Sequence, residues 1–136
     1  MDQRTNKAHW VDDIYPIRRV EVDGRIQAYR EAGDRDAPLM FLLHGIGSGS
    51  GSWCYLMDHF KNRYRLIAWD APGYNISTPL SEDKPGALGF ARALGRFLDV
   101  LKVQPDVIIG HSLGAMMAGA YVDEVNPNLP MLILGN

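Results

Sequence analysis

The stretch Val107-Ile108-Ile109-Gly110-His111-Ser112-Leu113-Gly114 constrains the fold of this chain more than any other. A short apolar run meets a small-residue segment, Ala115-Met116-Met117-Ala118-Gly119-Ala120, across the pattern Gly-x-Ser-x-Gly. Such an arrangement predicts a buried strand that turns sharply into a helix, with Ser112 at the apex. Gly110 and Gly114 leave room for a turn that a Cβ would obstruct.

The rest of the chain reads as strands alternating with helices. Residues 1–16 are polar and predict a loosely held arm pinned by Trp10 and Tyr15. Arg18 to Val22 and Arg25 to Ala32 predict two strands joined at Asp23-Gly24, a dipeptide suited to the positive φ angles of a tight hairpin. Ile26, Ala28 and Ala32 alternate with Gln27 and Glu31, which predicts one wet face. Leu39-Met40-Phe41-Leu42-Leu43 has no alternation and predicts a strand covered on both faces, as in a parallel sheet. His44-Gly45-Ile46-Gly47 follows, and then a Gly/Ser stretch to Ser52. That stretch has the composition of a flexible linker, but its place between a buried strand and an amphipathic segment predicts an ordered loop at a functional site. A helix is predicted from Ser52 as N-cap, turning Trp53, Leu56, Met57 and Phe60 inward.

Tyr64 to Trp69 predicts the next strand, ending in Asp70-Ala71-Pro72-Gly73-Tyr74. After a polar loop, a helix is predicted from Pro85, with Leu88, Ala91, Leu94, Leu98 and Leu101 forming one apolar stripe. The helix after Ser112 should run to about Val125, stopped by Asn126-Pro127. Met131-Leu132-Ile133-Leu134 predicts a further buried strand. The fold class is therefore α/β: a mostly parallel sheet flanked by helices, with an N-terminal antiparallel hairpin.

Composition excludes several functions. A chain of 136 residues with 46% apolar content can bury one core, which residues 17–136 are expected to form. The net charge of −2 is spread over interspersed residues, so no nucleic-acid or polybasic membrane surface is expected. The one cysteine, Cys54, reads as a packing residue and suits a reducing compartment. No signal-peptide core or membrane span is legible, and a cytoplasmic protein is the expectation. Asn75-Ile76-Ser77 matches the glycosylation pattern, which carries no weight without secretion.

Taken together, His44-Gly45-x-Gly47 with Trp53 beyond it, Asp70-x-Pro72-Gly73-Tyr74 and Gly110-x-Ser112-x-Gly114 resemble the α/β-hydrolase superfamily. The resemblance takes in its esterases, lipases and carbon–carbon-bond hydrolases and covers the chain from about residue 17. It implies that Ser112 is a nucleophile on an elbow and that two backbone N–H groups stabilise the oxyanion. Leu113 would supply one and Ile46 the other, with His44, Gly45, Gly47, Gly110 and Gly114 as supporting positions. The implied substrate is a small ester-like or carbonyl molecule, with no cofactor and no metal.

Other residues fit lesser roles. His44 reads as a structural part of the oxyanion loop rather than the base. His111 should point away from Ser112 by strand alternation. His9 and His59 read as solvated, and Asp123 and Glu124 as the wet face of their helix. Asp70 precedes Ser112, whereas the fold's acid follows its serine, so a capping role suits it better. Asn75 stands where a glycine is common in the family and can take the left-handed conformation.

No histidine follows Ser112 in these residues. The expectation is the N-terminal half of a longer hydrolase whose acid and histidine lie beyond residue 136, inactive in ester turnover by itself. Three rival readings remain. A dinucleotide-binding fold would use the glycines at 45, 47, 49 and 51 with Asp70, but Ser50 breaks the Gly-x-Gly-x-x-Gly spacing. A non-catalytic binding module and an acyltransferase or thioesterase are the other two.

Overall fold

In the computed structural model, which describes residues 10–136, six strands form one sheet in the order β1-β2-β4-β3-β5-β6. β1 (Arg18–Val22) and β2 (Arg25–Ala32) make the antiparallel hairpin, and Asp23 and Gly24 turn it with φ of 52° and 77°. Both angles are positive, as a two-residue turn matching the strand twist requires. β2 runs antiparallel to β4 (Arg65–Asp70), while β3 (Leu39–Leu43), β4, β5 (Val107–His111) and β6 (Met131–Gly135) are mutually parallel in their pairings. The expected α/β architecture with its N-terminal hairpin is present.

Two cores follow from the period-2 alternation of strand side chains. Leu39, Phe41, Leu43, Ile67, Trp69 and Ile108 face one way, onto α2 (Gly86–Leu101) and α3 (Leu113–Glu124). Met40, Leu42, Leu66, Ala68 and Val107 face the other way, onto α1 (Cys54–Phe60) and the N-terminal helical turn at residues 10–14. This explains why β3 shows no alternation, since every one of its residues is buried. Phe97 of α2 reaches between the rings of Phe41, Trp69 and Tyr29, with centroids 5.9, 6.0 and 5.5 Å away. Edge and tilted contacts of this kind add about 0.5–1.5 kcal/mol per pair beyond their buried area.

Four local expectations are corrected. β2 has no clean wet face: Gln27 and Arg30 are buried and Ile26 is exposed. The reason is that Gln27 and Arg30 reach distant polar partners, Asp70 and Ser50, which make their burial tolerable. Ser52 is not an N-cap. Residues Ser50–Trp53 form a tight 3-10 turn in which the Ser52 hydroxyl donates back to the Gly49 carbonyl at 2.7 Å, and α1 starts at Cys54. β4 starts at Arg65 rather than Tyr64. Among the described residues, β6 pairs with β5 and packs Leu132 on the core beneath α3, while Met131, Ile133 and Leu134 are exposed rather than buried.

Residues 10–15 of the N-terminal segment dock on the sheet, and residues 1–9 lie outside the described residues. Val11 and Tyr15 are buried, and Trp10 packs edge-on to Tyr15 and Tyr55. The Tyr15 hydroxyl donates to Asp58 at 2.8 Å. Burial raises the Tyr15 pKa first, and the bond to Asp58 raises it further; burial also raises that of Tyr121. Both phenols stay protonated in the fold at a pH where the unfolded chain ionises. Their stabilisation is complete below the ordinary tyrosine value of 10.0 and declines as pH rises past it. A series of thermal melts above pH 10 should therefore show Tm falling, and Y15F should flatten that slope.

Candidate active site

Ser112 holds the junction of β5 and α3 with φ 55° and ψ −118°, a region that residues bearing a Cβ seldom occupy. The strain sits on the serine itself rather than on its flanking glycines. Those glycines serve close approach instead. A Cβ on Gly110 would stand 2.4 Å from the Gly114 carbonyl oxygen, and one on Gly114 would stand 2.2 Å from that of Leu43. The first turn of α3 can thus lie against the ends of β5 and β3 with Ser112 exposed above them.

The loop after β3 meets the turn from the other side. A Cβ on Gly45 would lie 3.1 Å from the Ser112 Cβ, so the backbone of residue 45 touches the serine. The Gly45 carbonyl is held by the Ser48 N–H at 3.3 Å and by His44 Nδ1 at 2.8 Å. Across a trans peptide the N–H of Ile46 points opposite to that carbonyl. Leu113 is the first residue of α3, so its N–H has no acceptor within the helix. The positive end of the helix dipole lies at the same place.

His44 is buried and both ring nitrogens are engaged. Nε2 accepts the Ala71 N–H at 3.0 Å, which leaves Nδ1 to carry the proton donated to Gly45. Tyr74 closes over the ring at a centroid distance of 4.8 Å. This occupancy makes His44 a brace between β3, β4 and the loop, with no nitrogen left for a reacting proton. His111 shares the sheet face of Ile109 and lines an open apolar cavity of about 440 Å³ with Trp53, Ile133, Ser48 and Ser52. His59 is exposed at the end of α1, and His9 lies outside the described residues. Asp123 and Glu124 are exposed on α3. Cys54 is buried in the core, where burial pushes its thiol pKa up.

Asp70 is fully buried at the end of β4, and its carboxylate secures the glycine-rich loop. Oδ1 accepts the Ser50 N–H at 2.7 Å and the Asn75 side-chain amide at 2.8 Å, and Oδ2 accepts the Ser50 hydroxyl at 3.0 Å. Its backbone carbonyl takes the Ser77 hydroxyl and the Gln27 amide. Asn75 adopts φ 48°, so it fills the left-handed position while its side chain adds a bond that glycine could not.

Sequence reading missed Arg30, Ser50 and Gln27. The only sequence signal for them is polarity at positions where the strand or loop periodicity calls for burial. The structure does bring Ser112, Leu113, Gly45, Ile46 and His44 to one end of the parallel strands. Binding at the carboxyl ends of parallel strands is general for such sheets.

Comparison with known proteins agrees with this fold. Residues 38–135 match the family described as alpha/beta hydrolase fold. The chain is 30% identical over 122 residues to the magnesium-chelatase 30 kDa subunit of Rhodobacter capsulatus, covering 87% of this chain and 41% of that protein. It is 33% identical over 113 residues to the 2-hydroxy-6-oxo-6-phenylhexa-2,4-dienoate hydrolase of Comamonas testosteroni, covering 78% of this chain and 38% of that one. The chain thus spans well under half the length of these relatives. A crystal structure of a bacterial membrane phospholipase A superposes with a TM-score of 0.84 at 24% identity, covering 98% of this chain and 43% of that chain, a likeness of fold. Among the described residues, no helix is long and apolar enough to cross a membrane. With its elbow turn, its glycine-rich loop and its sheet order in place, the chain belongs to the α/β-hydrolase family.

Proposed function

We propose that Ser112 is the nucleophile of a hydrolase acting on small ester-like or carbonyl substrates. Its oxygen attacks the carbonyl carbon, and the intermediate's oxyanion is held by the N–H groups of Ile46 and Leu113. Collapse breaks the bond to the leaving group, which takes the serine's proton, and water then releases the acyl group. An acid and a histidine must move those protons. The relatives, more than twice as long as this chain, have room for them. The name of the Comamonas relative, a hydrolase of a 2-hydroxy-6-oxo dienoate, fits a carbonyl as the electrophile.

The observation that carries this reading is the strained exposed serine, touched by the backbone of residue 45. A strained outlier in such a place is the usual mark of a functional residue. A non-catalytic binding module is the second reading, and the likeness to a magnesium-chelatase subunit favours it.

Phosphonylation separates the two. Incubated with an alkyl fluorophosphonate, the full-length protein is expected to gain the reagent's phosphonyl group, with loss of fluoride, on the peptide that carries Ser112. An unmodified Ser112 under conditions that label a control serine hydrolase would overturn the nucleophile reading and leave the binding module.

A further inference from the structure

Arg30 is a buried cation pointing into an otherwise apolar layer. It pairs in register with Ala68 of β4 and lies on the sheet face of Ala32 and α1, 9% exposed. A guanidinium is always charged, so its burial is tolerable only with partners on its donors. Those partners come from two segments, the N-terminal one and the glycine-rich loop. Nε donates to the Ser50 hydroxyl at 3.0 Å, one terminal nitrogen donates to the Tyr15 carbonyl, and the other pairs with Asp12 at 2.9 Å.

The Ser50 hydroxyl accepts from Arg30 and donates onward to Asp70. One continuous polar chain therefore runs from the N-terminal helical turn, through Arg30 and Ser50, to the carboxylate at the end of β4. Ser50 lies four residues beyond Ile46 in Gly47-Ser48-Gly49-Ser50-Gly51-Ser52, whose composition by itself gives a flexible coil. The loop's order must come from bonds of this kind. The approach is close: a Cβ on Gly49 would stand 2.9 Å from Asp70 Oδ1 and 2.5 Å from the Asn75 amide.

We propose that Arg30 is a positioning residue that locks the oxyanion loop through Ser50 and couples the N-terminal segment to it. The catalytic part of this inference rests on the reading of Ile46 as an oxyanion donor. The planar guanidinium presents its donors in fixed, divergent directions, and a lysine ammonium cannot serve these three partners together. Oxyanion donors act only within a narrow distance of the developing charge, so slackening the loop lowers kcat and leaves KM nearly unchanged.

The test uses R30K, S50A and the double variant of the full-length protein. Its first readout is independent of turnover: amide hydrogen exchange of peptides covering residues 45–49 and of the β3 core. Both single variants are expected to speed exchange in the loop by about 10-fold or more without changing the core, a local loosening. The double variant should be no faster than the faster single one, because both changes cut the same chain. S50A removes one hydroxyl and keeps the Asp12 pair, so it carries the same expectation if R30K does not fold.

The second readout is ester turnover per fluorophosphonate-titrated site, where kcat should fall about 10-fold with KM within twofold. Loop exchange at the parental rate in both singles, or independent effects in the double, overturns the lock. Loosened loops with unchanged kcat overturn the catalytic part alone. S112A retaining turnover would instead overturn the nucleophile reading, and the exchange result would still decide the lock.

Discussion

Replacing Ser112 by alanine in the full-length protein is expected to remove ester turnover by about 10⁴-fold or more, the usual scale for loss of a catalytic nucleophile. The same change should barely touch stability. Ser112 is exposed, its side chain caps no helical N–H, and alanine keeps the Cβ and hence the strain at φ 55°. Urea unfolding of S112A should therefore match the parent within about 0.5 kcal/mol. S112G separates the two properties further. Glycine occupies this positive-φ conformation without the cost of about 1–3 kcal/mol borne by other residues, so S112G should be inactive and at least as stable as the parent. Chromogenic-ester kinetics beside urea midpoints check both statements, and a fully active S112A would remove the proposed function.

The largest effect on stability is expected at Gly114. An added Cβ would stand 2.2 Å from the Leu43 carbonyl oxygen and 2.7 Å from that of His44. Both are backbone atoms at the end of a fully buried strand, so neither can rotate away. G114A must lift α3 off β3, which opens the packing of Met117, Ala118 and Tyr121 and carries the Leu113 N–H away from the loop at Gly45. A loss of more than about 3 kcal/mol is expected, at the upper end of overpacking substitutions. Gly119 on the same helix is the control. No atom lies within 4 Å of its added Cβ, so G119A should stabilise α3 by about 0.5–1 kcal/mol through helix propensity. Equal urea midpoints for the two alanine variants would contradict the steric account.

The parts of the fold that were legible share one property: their signal is local. The β3 run and the α2 stripe carry their burial pattern in residues one to four positions apart. Asp23-Gly24 and Asn75 carry their turn conformations in their own backbone preferences. The elbow was legible because Gly110, Ser112 and Gly114 lie within a single turn of chain.

What escaped prediction depends on long-range partners. Arg30 reaches Ser50 across 20 residues and Gln27 reaches Ser77 across 50, so the polar pattern of β2 gave the wrong face. Ser52 has the chemistry of an N-cap, but Ser50 is tied to Asp70 and the turn before α1 tightens instead.

The amino-acid order by itself determined that this chain makes a mostly parallel α/β sheet with a serine on a sharp strand-to-helix turn. Apolar periodicity and glycine placement act over a few residues and need no knowledge of the rest. Tertiary structure decided which groups meet that serine. Gly45 touches it because β3 and β5 are neighbours in the sheet, although residues 45 and 112 are far apart in the chain. It also decided that the glycine-rich loop is ordered. Asp70 and Arg30 come from two paired strands, β4 and β2, and only their pairing brings both charges to Ser50.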